Sequence, residues 1–548
     1  MSVAMKREHQ VSKLRICVVV DSEVVNKYVA SFIRWTATED TVDLALALVV
    51  PLDFKSEQPA GGAFASDAVL PFEKIVLRLY AQHKDHLVKV DLHNATSGLP
   101  TPVPILAIAR GAEPSTEEIE KLKAARIDVF VNLCSLPLVE PLVRTARFGA
   151  LRLDFHGERA GCGAPVGFWE SYLRLPKTTF SILCADGPAV KERLVLEGSF
   201  RTQFSHLLNQ AHLYRKALAQ LQQILLNIAV QQKLPITRAN SSSQRVHYTA
   251  PNNAEKASYA LKLAGRVSWK ACRRLLSIRQ KWGIRFAYTD WRDTALLRAK
   301  KIAAPAGHFW ADPFLCTHDG HTYCFVEDYL YATQRAHISV LEISEGKVSN
   351  LGVALAEDFH LSFPFLFKYN GNIYMSPECS ETKQIRIYES ISFPLEWKLC
   401  SIAMQDISAA DSVFFERDGK WWLMTSIDRT ELNDHCHELC LFWADSPLST
   451  QWTAHPQNPI YVDAEGGRNA GLIIEKRKIF RAAQKQGFDQ YGRGLSVYEI
   501  RILDQQNYEE VKIADYEELG LRDSLGSHHI STTGDITVVD YLNRRFAR

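Results

Sequence analysis

What the chain does not have narrows the problem first. No apolar run approaches the roughly 20 residues a membrane-crossing helix needs, and Met1 to Gln10 are polar and charged, with no apolar signal core. A cytoplasmic protein is the expectation. Neither sign of charge is in excess: 64 Lys and Arg against 62 Asp and Glu leave +2 over 548 residues. That excludes the strongly basic surface of a general nucleic-acid binder. The 11 cysteines include no CxxC pair and keep no regular spacing, so they read as reduced thiols and not as a disulfide framework. What is present, 46% hydrophobic and 23% charged residues, is the composition of a soluble globular chain. Its length exceeds one ordinary core and predicts two or three domains.

The first segment, 12–231, opens on Leu14-Arg15-Ile16-Cys17-Val18-Val19-Val20, an unbroken apolar run typical of a buried parallel strand. A helical pattern follows from Val24 to Trp35, then a second strand over Leu44 to Val50. Ser115-x-x-Glu118 is a capping box that starts a helix, and Ile127 to Leu133 reads as another strand. Strands alternating with helices predict an α/β domain with a mostly parallel sheet. A helix rich in Leu, Ala and Gln closes the segment, from about Ser205 to Gln231.

The second segment, 232–285, joins a Pro-, Asn- and Ser-containing linker to a basic stretch over 256–281. Lys256, Lys262, Arg266, Lys270, Arg273, Arg274, Arg279 and Lys281 have no acidic residue among them. Leu261, Leu263, Val267, Leu275 and Leu276 recur at helical spacing. Two readings stay open: weak contact with an anionic membrane surface, or a connecting helix with a solvated basic face.

The third segment, 286–548, is a repeat. Trp310-Ala311-Asp312-Pro313-Phe314 is followed by a turn and Tyr323-Cys324-Phe325-Val326-Glu327. The phrase returns at Ser362-Phe363-Pro364-Phe365, Ala410-Asp411-Ser412-Val413, Arg468-Asn469-Ala470-Gly471 and Ser527-His528-His529-Ile530. Each copy is two short strands about a polar turn such as Arg417-Asp418-Gly419. Five copies at about 50 to 60 residues predict an all-β five-bladed β-propeller. Asp312, Ser362, Asp411, Arg468 and His528 are expected where the inner strands begin around the channel. The apolar frame repeats while these polar residues vary, the pattern of a site carried on a scaffold.

In the first segment the chemistry centres on Leu151-Arg152-Leu153-Asp154-Phe155-His156-Gly157, with Gly161 and Gly163 beyond. A strand end of an α/β sheet is where ligands bind, and Asp154 with His156 forms a candidate general base. This order resembles the formyltransferase family, with Asp154 standing where the family has asparagine. The resemblance implies a formyltransferase-like fold, a formyl-folate cofactor, and transfer of a formyl group to an amine such as an amino sugar, with His156 as the matched residue.

In the third segment Asp312 and Asp411, with Glu378 or Glu465, are carboxylates expected to converge on one channel. Glycoside hydrolysis needs two such groups facing across a sugar. This looks like the five-bladed glycosidases of the arabinanase and xylosidase type. A resemblance over nearly all of 286–548 is to the N-terminal domain of the glucosamine inositolphosphorylceramide transferases. It is carried by Phe309 to Phe314, Gly352 to Leu355, His360 to Phe365, Tyr374 to Glu378, Phe393 to Trp397, Arg468 to Gly471, Arg481 to Gln484 and Tyr491-Gly492. It implies a carbohydrate-linked propeller, since in the plant enzymes the transferase step sits in a separate domain of another fold. The expected channel set is then Asp312, Glu378, Asp411, Arg468, Arg481, Gln484 and His528. Two arginines suit an anionic sugar or phosphorylated head group, or else pin the blades by pairing with carboxylates. Trp310, Trp421 and Trp422 are either sugar-stacking surfaces or inter-blade core. Asp434-His435-Cys436-His437-Glu438 has metal-ligand residue types but is read as a loop, so no metal site is expected.

The leading expectation is a transferase that modifies a sugar or glycolipid head group, using Asp154 and His156, with the propeller gripping the glycan. A hydrolase or transglycosidase using Asp312 and Asp411 is the second reading, and a non-catalytic carbohydrate-binding protein the third.

Overall fold

The computed structural model describes residues 13–50, 71–108, 113–134, 137–155, 165–186, 191–234, 248–276, 281–293, 299–517 and 524–543. The chain divides into two compact units at about residue 268.

The first unit holds a seven-stranded mixed sheet. Across it run Ile105–Ala107, Val42–Val49, Leu14–Val20, Val129–Asn132, Ala150–Asp154, Lys177–Asp186 and Lys191–Arg201. The first five are mutually parallel. The last two form an antiparallel hairpin that the sequence reading did not separate from its surroundings. Leu14, Ile16 and Val18 to Val20 are buried because the sheet is covered on both faces. The helix Thr116–Ala124 begins on the expected capping box of Ser115 and Glu118.

The helix His206–Gln231 carries a buried polar face as well as leucines. His206, Asn209, Gln210, Lys216 and Gln220 are each at most 1% exposed, and Asn209 bonds Gly167 O and Thr178 Oγ1. The basic helix is Asn253–Leu275. Tyr259 and Leu263 are buried, and the Tyr259 hydroxyl donates to Glu73 Oε1 at 2.6 Å. Lys262 lies over the Tyr172 ring and Arg266 donates to the carbonyls of Ser171 and Phe204, so part of the basic face serves packing. Among the described residues no helix is long and apolar enough to cross a membrane.

The second unit is a five-bladed propeller. Blade 1 is His308–His318, His321–Leu330, Arg335–Ser344 and Lys347–Leu355, and blade 2 is Ser362–Tyr369, Asn372–Glu378, Gln384–Ser392 and Glu396–Gln405. Blade 3 runs from Ala409–Arg417 through Lys420–Ile427 to Glu438–Ala444, with Thr453–Ala454 and Tyr461–Val462 at its edge. Blade 4 is Asn469–Glu475, Lys478–Gly487, Gln490–Leu503 and Tyr508–Glu517. Blade 5 is built from both ends of the unit. Ile530–Thr533 and Ile536–Asn543 are followed in the sheet by Trp282–Tyr288 and Lys300–Ile302, and Ser524–Gly526 adds to the same sheet. The strand Trp282–Tyr288 straddles residue 286, where the sequence reading placed the start of the repeat. It was invisible as part of the repeat because its partner lies some 250 residues away.

Local chemistry explains the blades. Asp319-Gly320 and Asp418-Gly419 both have positive φ at the two turn positions, the type I′ geometry that fits the twist of a two-residue hairpin. Between blades, Phe314, Phe363, Phe365, Phe367, Phe414, Trp421 and Trp422 share one buried cluster. Trp310 is buried in another with Ile284 and Phe286. The three tryptophans are therefore inter-blade core.

Candidate functional site

The inner strands of blades 1, 2 and 3 share one irregularity. Their pairing slips between Ala311 and Phe314, between Ser362 and Phe365, and between Ala410 and Val413. At each bulge one residue takes a left-handed φ: Asp312 at 47°, Phe363 at 45° and Asp411 at 50°. Such values are strained for residues other than glycine, and bulges re-aim side chains beside functional sites. The position equivalent to Asp312 in blade 2 is thus Phe363 and not Ser362, because the bulge falls one residue later than the sequence alignment placed it.

Blade 2 supplies its carboxylate from the second strand. Glu378 pairs with Ser362 just before the bulge, as Glu327 pairs with Ala311 in blade 1. In blade 5 the N–H of Asp540 donates to the carbonyl of His529, which places it at a similar point. Glu327 and Asp540 were missed from the sequence, where both sit inside apolar second strands. Aligning Glu327 with Glu378 in the repeat is the signal that finds the first.

These groups meet. Arg468 of blade 4 donates through Nε to Asp411 Oδ2 at 2.5 Å and through Nη2 to Asp411 Oδ1 at 3.2 Å. The same Nη2 reaches Glu378 Oε2 of blade 2 at 3.2 Å. Blades 2 and 4 are not neighbours, so this contact lies across the propeller axis. Gln484 Nε2 adds a bond to Asp411 Oδ2 at 2.8 Å. Asp312 Oδ2 accepts the N–H of Phe363 at 3.1 Å, and its Oδ1 lies 3.1 Å from His528 Nε2. Glu327 lies 3.4 Å from His360 Nε2. Tyr491 faces both Arg468 and His528.

Five carboxyl groups, Asp312, Glu327, Glu378, Asp411 and Asp540, thus share two cations, Arg468 and His528. Such crowding forces their proton affinities apart. Burial alone would raise Asp312, but the charge and contact of His528 outweigh it and hold Asp312 at about 2. Burial, then repulsion from Asp312, lifts Glu327 well above the usual carboxylate range. Burial also raises Asp411, to about 7, against the pull of Arg468. Burial lowers His360, leaving it a weak counterion for Glu327.

The other expected residues fall elsewhere. Arg481 is fully buried within blade 4, where Nε donates to Glu510 Oε2 at 2.9 Å and Nη1 to the Gly466 carbonyl at 2.9 Å. Tyr461 and Tyr498 flank it, so it pins its own blade. Glu465 lies in the turn after Asp463, whose Oδ1 accepts its N–H. In the first unit, Asp154 is 3.4 Å from Arg152, which also grips Glu192 at 2.7 Å and 2.8 Å. His156 and the glycines after it lie outside the described residues. Of the run 434–438, His435 bonds the Ser408 hydroxyl and Glu438 pairs with Arg429 at 2.5 Å. Asp312, His528 and Asp540 bring ligand-type atoms within 4.8 Å of one another. Their carboxylates occupy opposite ring nitrogens of His528, the arrangement of an ion-paired imidazole and not of a ligand presenting one nitrogen.

Comparison with known proteins bears on this unit. Residues 297–524, less than half of the chain, match the family model described as Glucosamine inositolphosphorylceramide transferase 1, N-terminal. The protein of that name from Oryza sativa subsp. japonica is 36% identical over 211 residues, 38% of this chain and 28% of the relative. The one from Arabidopsis thaliana is 36% identical over 212 residues, 38% of this chain and 27% of the relative. The chain therefore spans just over a quarter of the length of the curated relatives it matches. Among solved structures, the xylose complex of the GH43_1 enzyme from Xanthomonas citri aligns with a TM-score of 0.32 and 13% identity over 44% of this chain and 89% of that one. The catalytic domain of the Coprinopsis cinerea GH62 alpha-L-arabinofuranosidase aligns at 0.33 and 10% over 49% and 98%. Most of the propeller is thus similar to the N-terminal part of the glucosamine inositolphosphorylceramide transferases.

Proposed function

We propose that the axial site of the propeller binds the glycan of a glycolipid head group and acts on its glycosidic linkage by acid–base catalysis. One observation carries this reading. Carboxyl groups from separate blades converge on the axis, where Asp312 is pushed below the usual carboxylate range and Glu327 above it. Pairs of carboxyls driven apart in this way are how acid and base roles are assigned in one site. Glu327 is the proton donor to the departing glycosidic oxygen. Asp312 is the carboxylate that stabilises the developing positive charge or activates water. Asp411, Gln484 and Arg468 form the wall that fixes Glu378. The names of the relatives, which specify glucosamine and inositolphosphorylceramide, support a glycolipid substrate class.

An anion grip by Arg468 and Arg481 is not carried forward, since both guanidinium groups are neutralised by protein carboxylates. Formyl or acyl transfer from a formyl-folate in the first unit drew on His156 with Asp154; Asp154 lies beside Arg152 and His156 lies outside the described residues, so that reading is not the one proposed.

The test is turnover by the full chain. A glucosaminyl-inositol-phosphate glycolipid and a panel of aryl glycosides are incubated with it, and released sugar is read by mass spectrometry. Asp312→Asn and Glu327→Gln should each lower the rate by about 10²- to 10⁴-fold, the usual weight of one general acid or base. Turnover that is unchanged in both variants removes the site from the chemistry.

A further inference from the structure

We propose that Asp540 and His528 are positioning residues that clamp Asp312 as a carboxylate, in an array running Asp540–His528–Asp312 from blade 5 to blade 1. The catalytic consequence rests on the reading of Asp312 above, while the array concerns three side chains alone.

The geometry is set from the strand outward. Asp540 is fully buried in Ile536–Asn543. Its Oδ1 accepts the N–H groups of His528 at 2.8 Å and His529 at 3.0 Å, and the Ser527 hydroxyl at 3.2 Å. Three donors on one oxygen fix the carboxylate and place Oδ2 2.7 Å from His528 Nδ1. The opposite ring nitrogen, Nε2, lies 3.1 Å from Asp312 Oδ1. Both contacts are charge pairs, and a neutral imidazole has no charge to set against two carboxylates on its opposite nitrogens. The imidazolium does. The Trp282 ring, 4.0 Å away between centroids, and the Tyr491 ring at 5.1 Å hold the imidazole in its slot. Gly492 is required there, because a Cβ would come within 2.9 Å of His528 Cβ.

The surrounding charges agree. The groups around the ring besides Asp312 and Asp540 are Glu327, His529, Arg468 and Tyr491. Burial would lower His528, but Asp540 and Asp312 outweigh it and raise the ring to about 10. Burial lowers His529, packed on Phe314, to about 4. The positive charge therefore sits on His528, beside Asp312. An Asp312 carboxylate steadied in this way stays ionised at pH values where a lone buried carboxyl would take up a proton.

Histidine-selective ¹³C labelling of the full chain, read by imidazole NMR, tests the array without needing a substrate. Asp540→Asn, close in shape to wild type, assigns the His528 signal, with His528→Gln as a second assignment. The expected result is an imidazolium signature for His528 from about pH 5 to about pH 9. In Asp540→Asn and Asp312→Asn its midpoint should fall by about one unit or more. Where turnover is measured, His528→Gln should move the acid limb of the pH–rate profile upward by about one unit, because Asp312 then loses its neighbouring cation and protonates at a higher pH. A neutral His528 at pH 7.5, a signal that shifts on adding a chelator, or a midpoint unmoved by both substitutions overturns the array. An imidazolium His528 in a protein whose Asp312→Asn variant turns over normally leaves the array standing and removes the catalytic reading.

Discussion

Arg468 touches Asp411 and Glu378 at once, and at 13% side-chain exposure it does so largely out of water. Removing one partner of a buried ion pair leaves charge without compensation, at about 3–5 kcal/mol. Arg468→Met should therefore lower stability by about that amount in urea unfolding, and Arg468→Met combined with Asp411→Asn should recover part of it. A loss below about 1 kcal/mol would show that the carboxyls already share protons and need no cation. At this scale the sequence was legible where the repeat put an acid at the first strand, as at Asp312 and Asp411. It was not legible where an acid sat in an apolar second strand, as at Glu327 and Asp540. Period-two patterning says which face a residue lies on but not that three blades turn that face to one axis. Arg481 was misplaced for the same reason: its neighbour in the sequence phrase, Gln484, is at the site, while Arg481 three residues earlier pairs with Glu510 inside the blade.

Among elements, the strand Trp282–Tyr288 matters most for the second unit. It bonds Ile536–Asn543 in blade 5 over seven residue pairs, and Ile284 and Phe286 are buried in the cluster that includes Trp310 and Val538. Closing a propeller with strands from both ends of the unit removes exposed edges. Each of those two side chains contributes about 1.5–3 kcal/mol by burial. A chain starting at Lys281 should unfold in one cooperative transition by calorimetry. One starting at Asp290 should show no such transition or a much lower midpoint, and equal midpoints would contradict this closure. The hairpins themselves were readable, because Asp-Gly and Asn-Gly turns between apolar strands fix register locally. The closing strand was not, since nothing local marks a partner so far along the chain. The bulges were unreadable too, and they moved the blade 2 position from Ser362 to Phe363.

For the whole molecule, the repeat and its period gave the five blades, and the unbroken apolar runs gave the parallel strands of the first unit. The function expected of that unit was less legible, because its matched residue, His156, lies outside the described residues and no spacing rule reveals that Arg152 lies beside Asp154. The axial carboxyl cluster is proposed as a glycan site, and titration calorimetry of the full chain with a soluble glucosaminyl-inositol phosphate decides the matter. Binding to wild type that weakens at least about tenfold, or about 1.4 kcal/mol, in both Asp312→Asn and Glu327→Gln is the predicted result. Equal binding by wild type and both variants, or none by wild type, would contradict it.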